Sequence, residues 1–144
     1  MLGKLCKLLR IYGIDTIFSN EGKAILLAAK REGRIVLTKN TQLRNREDVF
    51  FIEPEEPLVQ FKLVLSEYGL KDEIDPFSRC LVCNDKLIAV SKETVREQIP
   101  YFTYKNFTEF AQCPNCHRVY WKGSHYEKML KEISGVGLSM PNSK

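Results

Sequence analysis

A chain of 144 residues, 44% hydrophobic and 28% charged, suffices for one ordinary domain or two small ones, and its balance excludes wholesale disorder and fibrous architectures. Its longest apolar runs, such as 25–29, fall far short of the roughly 20 residues of a membrane-spanning helix, and its opening residues interleave cations with leucines rather than forming a leader; the expectation is a cytoplasmic protein with no membrane partner. The net charge of +4 is unevenly spread, with 10 Lys/Arg against 5 Asp/Glu in residues 1–52, 6 against 10 in 53–104 and 6 against 3 in 105–144, so both ends are basic and the middle acidic.

Leu2, Leu5, Cys6, Leu9 and Tyr12 recur at spacings of three and four, which predicts an amphipathic helix over 2–12 closed by Gly13. Thr16-Ile17-Phe18 is β-like, 23–32 reads as a helix ended by Gly33, and Ile35-Val36-Leu37 reads as a strand. Residues 49–52 (VFFI) give another short apolar run, and Leu58 to Tyr68 is a helix begun near Pro57 and ended by Gly69. Alternating strands and helices argue a small α/β unit with a mainly parallel sheet. From Asp72 the helical period fades and the remaining cysteines and many aromatics gather, so the expected organisation is an α/β domain over 1–76, a second module over 77–134 and a tail over 135–144.

Cys80 and Cys83 in RCLVCN, and Cys113 and Cys116 in CPNCH, form two CxxC pairs separated by 29 residues. Two such turns brought together present four sulfurs tetrahedrally to a Zn²⁺ ion. With four protein ligands the site is closed, and the metal supplies folding free energy to a module too small to hold itself together. Disulfides or a redox pair are the competing readings, disfavoured by the expected compartment, and iron is a possible substitute for zinc. His117 and His125 lie near the second pair, but the cysteines already complete a ligand shell. Cys6 reads as a small buried hydrophobe.

LGKLCKLLRIYGID, EGRIVLTKN, RCLVCN and CPNCHRVYWKGSH together make the chain resemble the Mut-seven carboxy-terminal RNase family, over most of its length from Leu2 to about Ile133. The resemblance implies a PIN-like, Rossmann-like parallel sheet followed by a Cys₄ zinc ribbon. It also implies an RNase fold whose carboxylates converge at strand ends to hold Mg²⁺ or Mn²⁺, ions that prefer oxygen ligands and activate water against a phosphodiester.

Here the chain departs from the family pattern. The strand and acid that typically precede the first helix are missing, Lys23 stands near a second acidic position, and Asn40 stands at a third, in LTKN. A lysine beside a metal site repels the ion. The substitutions inside the chain favour a catalytically degenerate member that binds RNA or a ribonucleoprotein, with Lys4, Lys7, Arg10, Lys39, Arg118, Trp121, Lys122 and His125 as candidate contacts, the cations for phosphate and the rings for base stacking. The aromatics equally suit the core of a small ribbon.

Two further readings stay open. One is an active Mg²⁺- or Mn²⁺-dependent ribonuclease with a displaced acidic site drawn from Glu21, Glu47 and Asp48. The other is a protein-interaction scaffold. Asp15 is expected to shape the turn into the following strand. An unfilled sheet position would expose backbone donors and acceptors, to be met by a partner's strand or by the first helix packing across the gap.

Overall fold

The computed structural model describes residues 2–20, 24–123 and 128. The chain is mixed α/β, with a two-stranded parallel sheet in its first half and a three-stranded antiparallel sheet in its second. Helix α1 (Gly3–Ile11) buries Leu5, Cys6, Leu9 and Ile11, the face expected from its apolar period. At its end Gly13 takes φ +83°, and the amide of Ile14 reaches back to the carbonyl of Leu9 (2.8 Å). Here glycine is required twice over, because a Cβ would lie 2.5 Å from the carbonyl oxygen of Asp75 and 2.7 Å from Oγ of Ser78.

Helix α2 (Ala24–Glu32) leads to strand β1 (Val36–Thr38), which pairs in parallel with β2 (Val49–Phe51) in the register Val36↔Val49, Leu37↔Phe50 and Thr38↔Phe51. Helix α3 (Pro57–Tyr68) starts with proline at its first turn, where the missing N–H costs nothing, and stops at Gly69 in the left-handed region. It packs on α1: Leu5, Leu9 and Tyr12 meet Phe61, Val64 and Leu65 around the buried Ile52, with the Tyr12 and Phe61 rings 5.1 Å apart. Each such side chain removed from water contributes about 1.5–3 kcal/mol, and this cluster is the main core.

One expected strand is not formed. Thr16–Phe18 has no ladder partner among the described residues, and Ile17 and Phe18 are 51% and 47% exposed. A three-residue apolar run becomes a strand only beside a free edge. The segment and β1 line one groove.

The second half is a small ribbon. Strands β3 (Ile88–Val90), β4 (Phe110–Gln112) and β5 (Val119–Trp121) run antiparallel in that order, and the short helix α4 (Tyr101–Asn106) lies between β3 and β4 in the chain. Among the described residues, the buried part of its core is Val95, Ile99 and Phe110, with Trp121, Tyr104 and Phe107 leaning on it. The two halves are stitched together at the sequence boundary. The amides of Asp75 and Phe77 bond the carbonyls of Tyr12 and Ile11, and Arg79 bonds that of Gly13.

Candidate functional site

The four cysteines form two turns that repeat one another bond for bond. In the first, the amide of Asn84 bonds the carbonyl of Cys80 and the amide of Cys80 bonds the carbonyl of Asp85, each at 2.9 Å. In the second, the amide of His117 bonds the carbonyl of Cys113 and the amide of Cys113 bonds that of Arg118, again at 2.9 Å. Both turns close through a residue at positive φ directly after the second cysteine, Asn84 at 68° and His117 at 67°. Neither is glycine, and asparagine and histidine are among the residues that enter this region most readily.

The turns face each other so that the four sulfurs lie within 4.8 Å of one another, with Cys80 Sγ and Cys116 Sγ 3.6 Å apart. A tetrahedron with metal–sulfur bonds of about 2.3 Å has edges of about 3.8 Å. The donor set therefore fits one thiophilic metal ion. Cys80 and Cys113 are buried and Cys83 and Cys116 partly exposed. The amides of Cys83 and Cys116 point at Cys80 Sγ and Cys113 Sγ (3.4 Å each), and the Asn115 side-chain amide points at Cys83 Sγ (3.2 Å). Such donors stabilise thiolates and orient them.

The surroundings shift Cys83 and Cys116 in opposite directions. Arg118, through its backbone N–H and then its guanidinium, draws Cys116 down to about 6. The Asn115 amide also lowers Cys83, but burial and the Cys116 and Cys113 thiols outweigh it and push Cys83 up to about 11. Four thiolates this close would repel one another, and a bound dication would offset that repulsion. Tyr120 supports the cluster, its hydroxyl 3.2 Å from Cys80 Sγ and accepting the Leu81 amide at 3.2 Å. Burial, and next the contact with Cys80, raise its pKa.

The carboxyl end of the parallel sheet is built differently. Lys39 directly follows β1, and its ammonium sits on the carbonyls of Ile52, Glu53 and Pro54 at 3.1 Å each, with Glu55 at 3.3 Å. Asn40 caps the short 3₁₀ turn Thr41–Leu43 by accepting the Gln42 amide at 2.9 Å. Asp48 precedes β2, at the opposite end of the sheet, and its carbonyl accepts the Val36 amide. It lies beside Lys30, Arg34 and Arg46 with Glu47. Among the described residues the four cysteines are the one group of three or more side chains placed to share a metal ion. Glu21 and Lys23 lie outside the described residues.

A family model for the Mut7-C RNAse domain matches residues 1–133. The chain belongs to the Mut7-C RNAse domain family. Comparisons with curated proteins and with solved structures each found no match.

On this Mut7-C chain the candidate RNA contacts differ in how far other groups already engage them. Lys4 and Lys7 are exposed on α1 and make no hydrogen bond or ion pair among the described residues. Arg10, on the same helix, is instead structural. Its Nε donates to the Thr16 carbonyl (2.9 Å) and its NH1 to those of Leu81 and Val82 in the first cysteine turn. Lys39 is likewise taken up by carbonyls, Arg118 lies on Cys116, and Trp121 packs on Phe110 with ring centroids 6.1 Å apart. Lys122 is half-buried, and His125 lies outside the described residues.

Asp15 does more than shape a turn. It bonds the Arg34 guanidinium through both oxygens (3.2 Å each) and accepts the Asn84 amide at 2.7 Å, tying the start of β1 to the cysteine turn. Tyr120 and Asn115 were not legible as supports of the metal centre. The available signal was their closeness in sequence to Cys116, which fixes no direction for either side chain.

Proposed function

We propose that this Mut7-C chain is a zinc-stabilised module that binds RNA without cleaving it. Lys39 carries the reading. At the carboxyl end of the sheet its ammonium occupies three carbonyl oxygens and a carboxylate, oxygens of the kind a hard divalent cation would need. A fixed positive charge there opposes a Mg²⁺ or Mn²⁺ ion, while Asn40 offers an uncharged amide beside it.

Zinc rather than iron suits the cysteine cluster as a redox-inert, closed structural centre, and four protein sulfurs leave no position for a reacting water. RNA as partner is supported by membership of an RNAse-domain family and by the exposed Lys4 and Lys7 on α1.

The test is retention and cleavage of labelled RNA by the zinc-loaded chain, with Mn²⁺ and with EDTA, across a salt series. The expected result is a shifted complex without products, weakening steeply with salt because bound lysines release counterions. Lys4→Glu with Lys7→Glu should weaken it at least tenfold. Mn²⁺-dependent products that disappear in a Glu47→Gln, Asp48→Asn variant would overturn the non-cleaving reading in favour of a displaced site. Salt-insensitive behaviour without RNA affinity would favour a protein scaffold.

A further inference from the structure

Helix α4 carries the two most exposed large apolar side chains among the described residues, Tyr101 at 68% and Phe102 at 70%. Its residues divide by face. Thr103 is buried and Tyr104 leans on the cluster of Val95, Ile99 and Phe110, which leaves Tyr101, Phe102, Lys105 and Asn106 outward. Two adjacent rings this open form a patch, where scattered single apolar residues would be ordinary surface.

Cations flank the rings. Lys105, one turn on from Tyr101, holds its ammonium over the Tyr101 ring at 5.4 Å. Lys92 and Arg96 hold theirs over the Tyr104 ring at 4.6 and 5.0 Å. Among the described residues none of the three is in an ion pair, and α4 itself contains no acid. Over residues 92–106 these three cations stand against two acids, Glu93 and Glu97, a net charge of +1.

The extent of the patch says what fits. Aromatic side chains that bury about 150–250 Å² each, open to this degree, offer about 200–350 Å² together. Each side of a stable protein–protein interface buries roughly 800 Å². Unpaired bases need far less, since one ring takes one base and a neighbouring cation takes a phosphate. With so small a net charge, stacking is the larger part of the attraction and ion pairing the smaller.

We propose that α4 is a stacking platform for single-stranded RNA, Tyr101 and Phe102 each taking one unpaired base and Lys105 a phosphate beside them. This rests on the RNA-binding reading of the chain and adds to it a contact different in kind from the lysines of α1. A duplex hides the faces of its bases and does not fit.

The test measures the affinity of the zinc-loaded chain for a short oligouridine, alone or annealed to oligoadenosine, across a salt series. Tyr101→Leu with Phe102→Leu keeps apolar area and removes the rings; both positions are exposed, and melting and zinc content check that the fold is kept. The single strand is expected to bind at least tenfold more tightly than the duplex, a comparison that needs no variant. The leucine double variant should bind the single strand at least tenfold more weakly with the same salt slope, whereas Lys105→Ala should lower that slope by about 0.7. Equal affinity of the leucine variant and the unsubstituted chain would overturn the platform and leave the RNA-binding reading standing; absence of RNA affinity in both would overturn the two together. Duplex bound as tightly as single strand would also overturn the platform. So would unchanged RNA affinity joined to loss of self-association in the leucine variant, which would assign the rings to a contact between copies of the chain.

Discussion

His117 and Asn84 hold equivalent places in the two cysteine turns, both in the left-handed region, yet their side chains differ in use. Asn84 accepts the Thr16 amide at 3.0 Å and donates to Asp15, while His117 is exposed and closes its turn through backbone alone. Glycine removes the conformational cost of positive φ, worth about 1 kcal/mol. His117→Gly is therefore expected to raise thermal stability by up to that amount. Asn84→Gly should lower it by about 1–2 kcal/mol, because the two lost hydrogen bonds outweigh the relief; melting curves of both variants at matched zinc concentration decide this. Gly13→Ala is the severe case, combining positive φ with the approach of Asp75 and Ser78, and should cost about 3 kcal/mol. The four cysteines were legible as a cluster because CxxC spacing is itself geometry. The roles of Asn84, Arg10 and Lys39 were not, since each depends on carbonyls or amides far away in sequence, and a cation that clamps backbone has the same letter as one that meets phosphate.

At the scale of elements, α1, α3, β1 and β2 were legible to within a residue or so at their ends, because the two helices carry an apolar period closed by glycine and the two strands are short apolar runs between polar stretches. The Thr16–Phe18 segment was misread as β-like for lack of the nonlocal partner that makes a strand. What anchors it is polar: Thr16 to Asn84 and Arg10, and Asp15 to Arg34 and Asn84. Partial burial works to raise the Asp15 carboxyl, but the hydrogen bonds from Asn84 and Arg34 and the charges of Arg34 and Arg79 prevail and hold it below its ordinary value. A carboxylate lowered on folding contributes stability that is fully present above its unfolded pKa of about 3.9 and is lost as pH falls through the lower folded value. Asp15→Asn should thus reduce stability at pH 7 by about 0.5–1 kcal/mol, a modest figure because the pair is half exposed. The gap from the unsubstituted chain should close as denaturation is measured at successively lower pH below about 4; a gap constant with pH would show that Asp15 acts through shape and not charge.

For the whole molecule, the two halves have unequal means of support. Among the described residues, the first holds a core of nine buried residues centred on α1 and α3, whereas the second has three, Val95, Ile99 and Phe110, in its own cluster, with the second cysteine turn between β4 and β5. A cluster this small offsets little chain entropy, and a metal ion held by the four cysteines would add folding free energy to it. The junction would transmit such a dependence, because Arg10 grips the carbonyls of Leu81 and Val82 in the first turn while its own helix carries the main core. Removing the metal with a strong chelator should therefore act in two degrees. The amides of Cys113 and His117, bonded within the second turn, should exchange at the rates of an unfolded chain. Those in the middle of α1 and α3 should stay protected but open more readily, since Arg10 would lose its fixed acceptors. Arg10→Met in the metal-loaded protein should reproduce the second effect without the first. Should the Cys113 amide keep its protection after complete metal removal, the ribbon would stand on its aromatic packing alone, and the cluster would have to be assigned a role other than holding the fold.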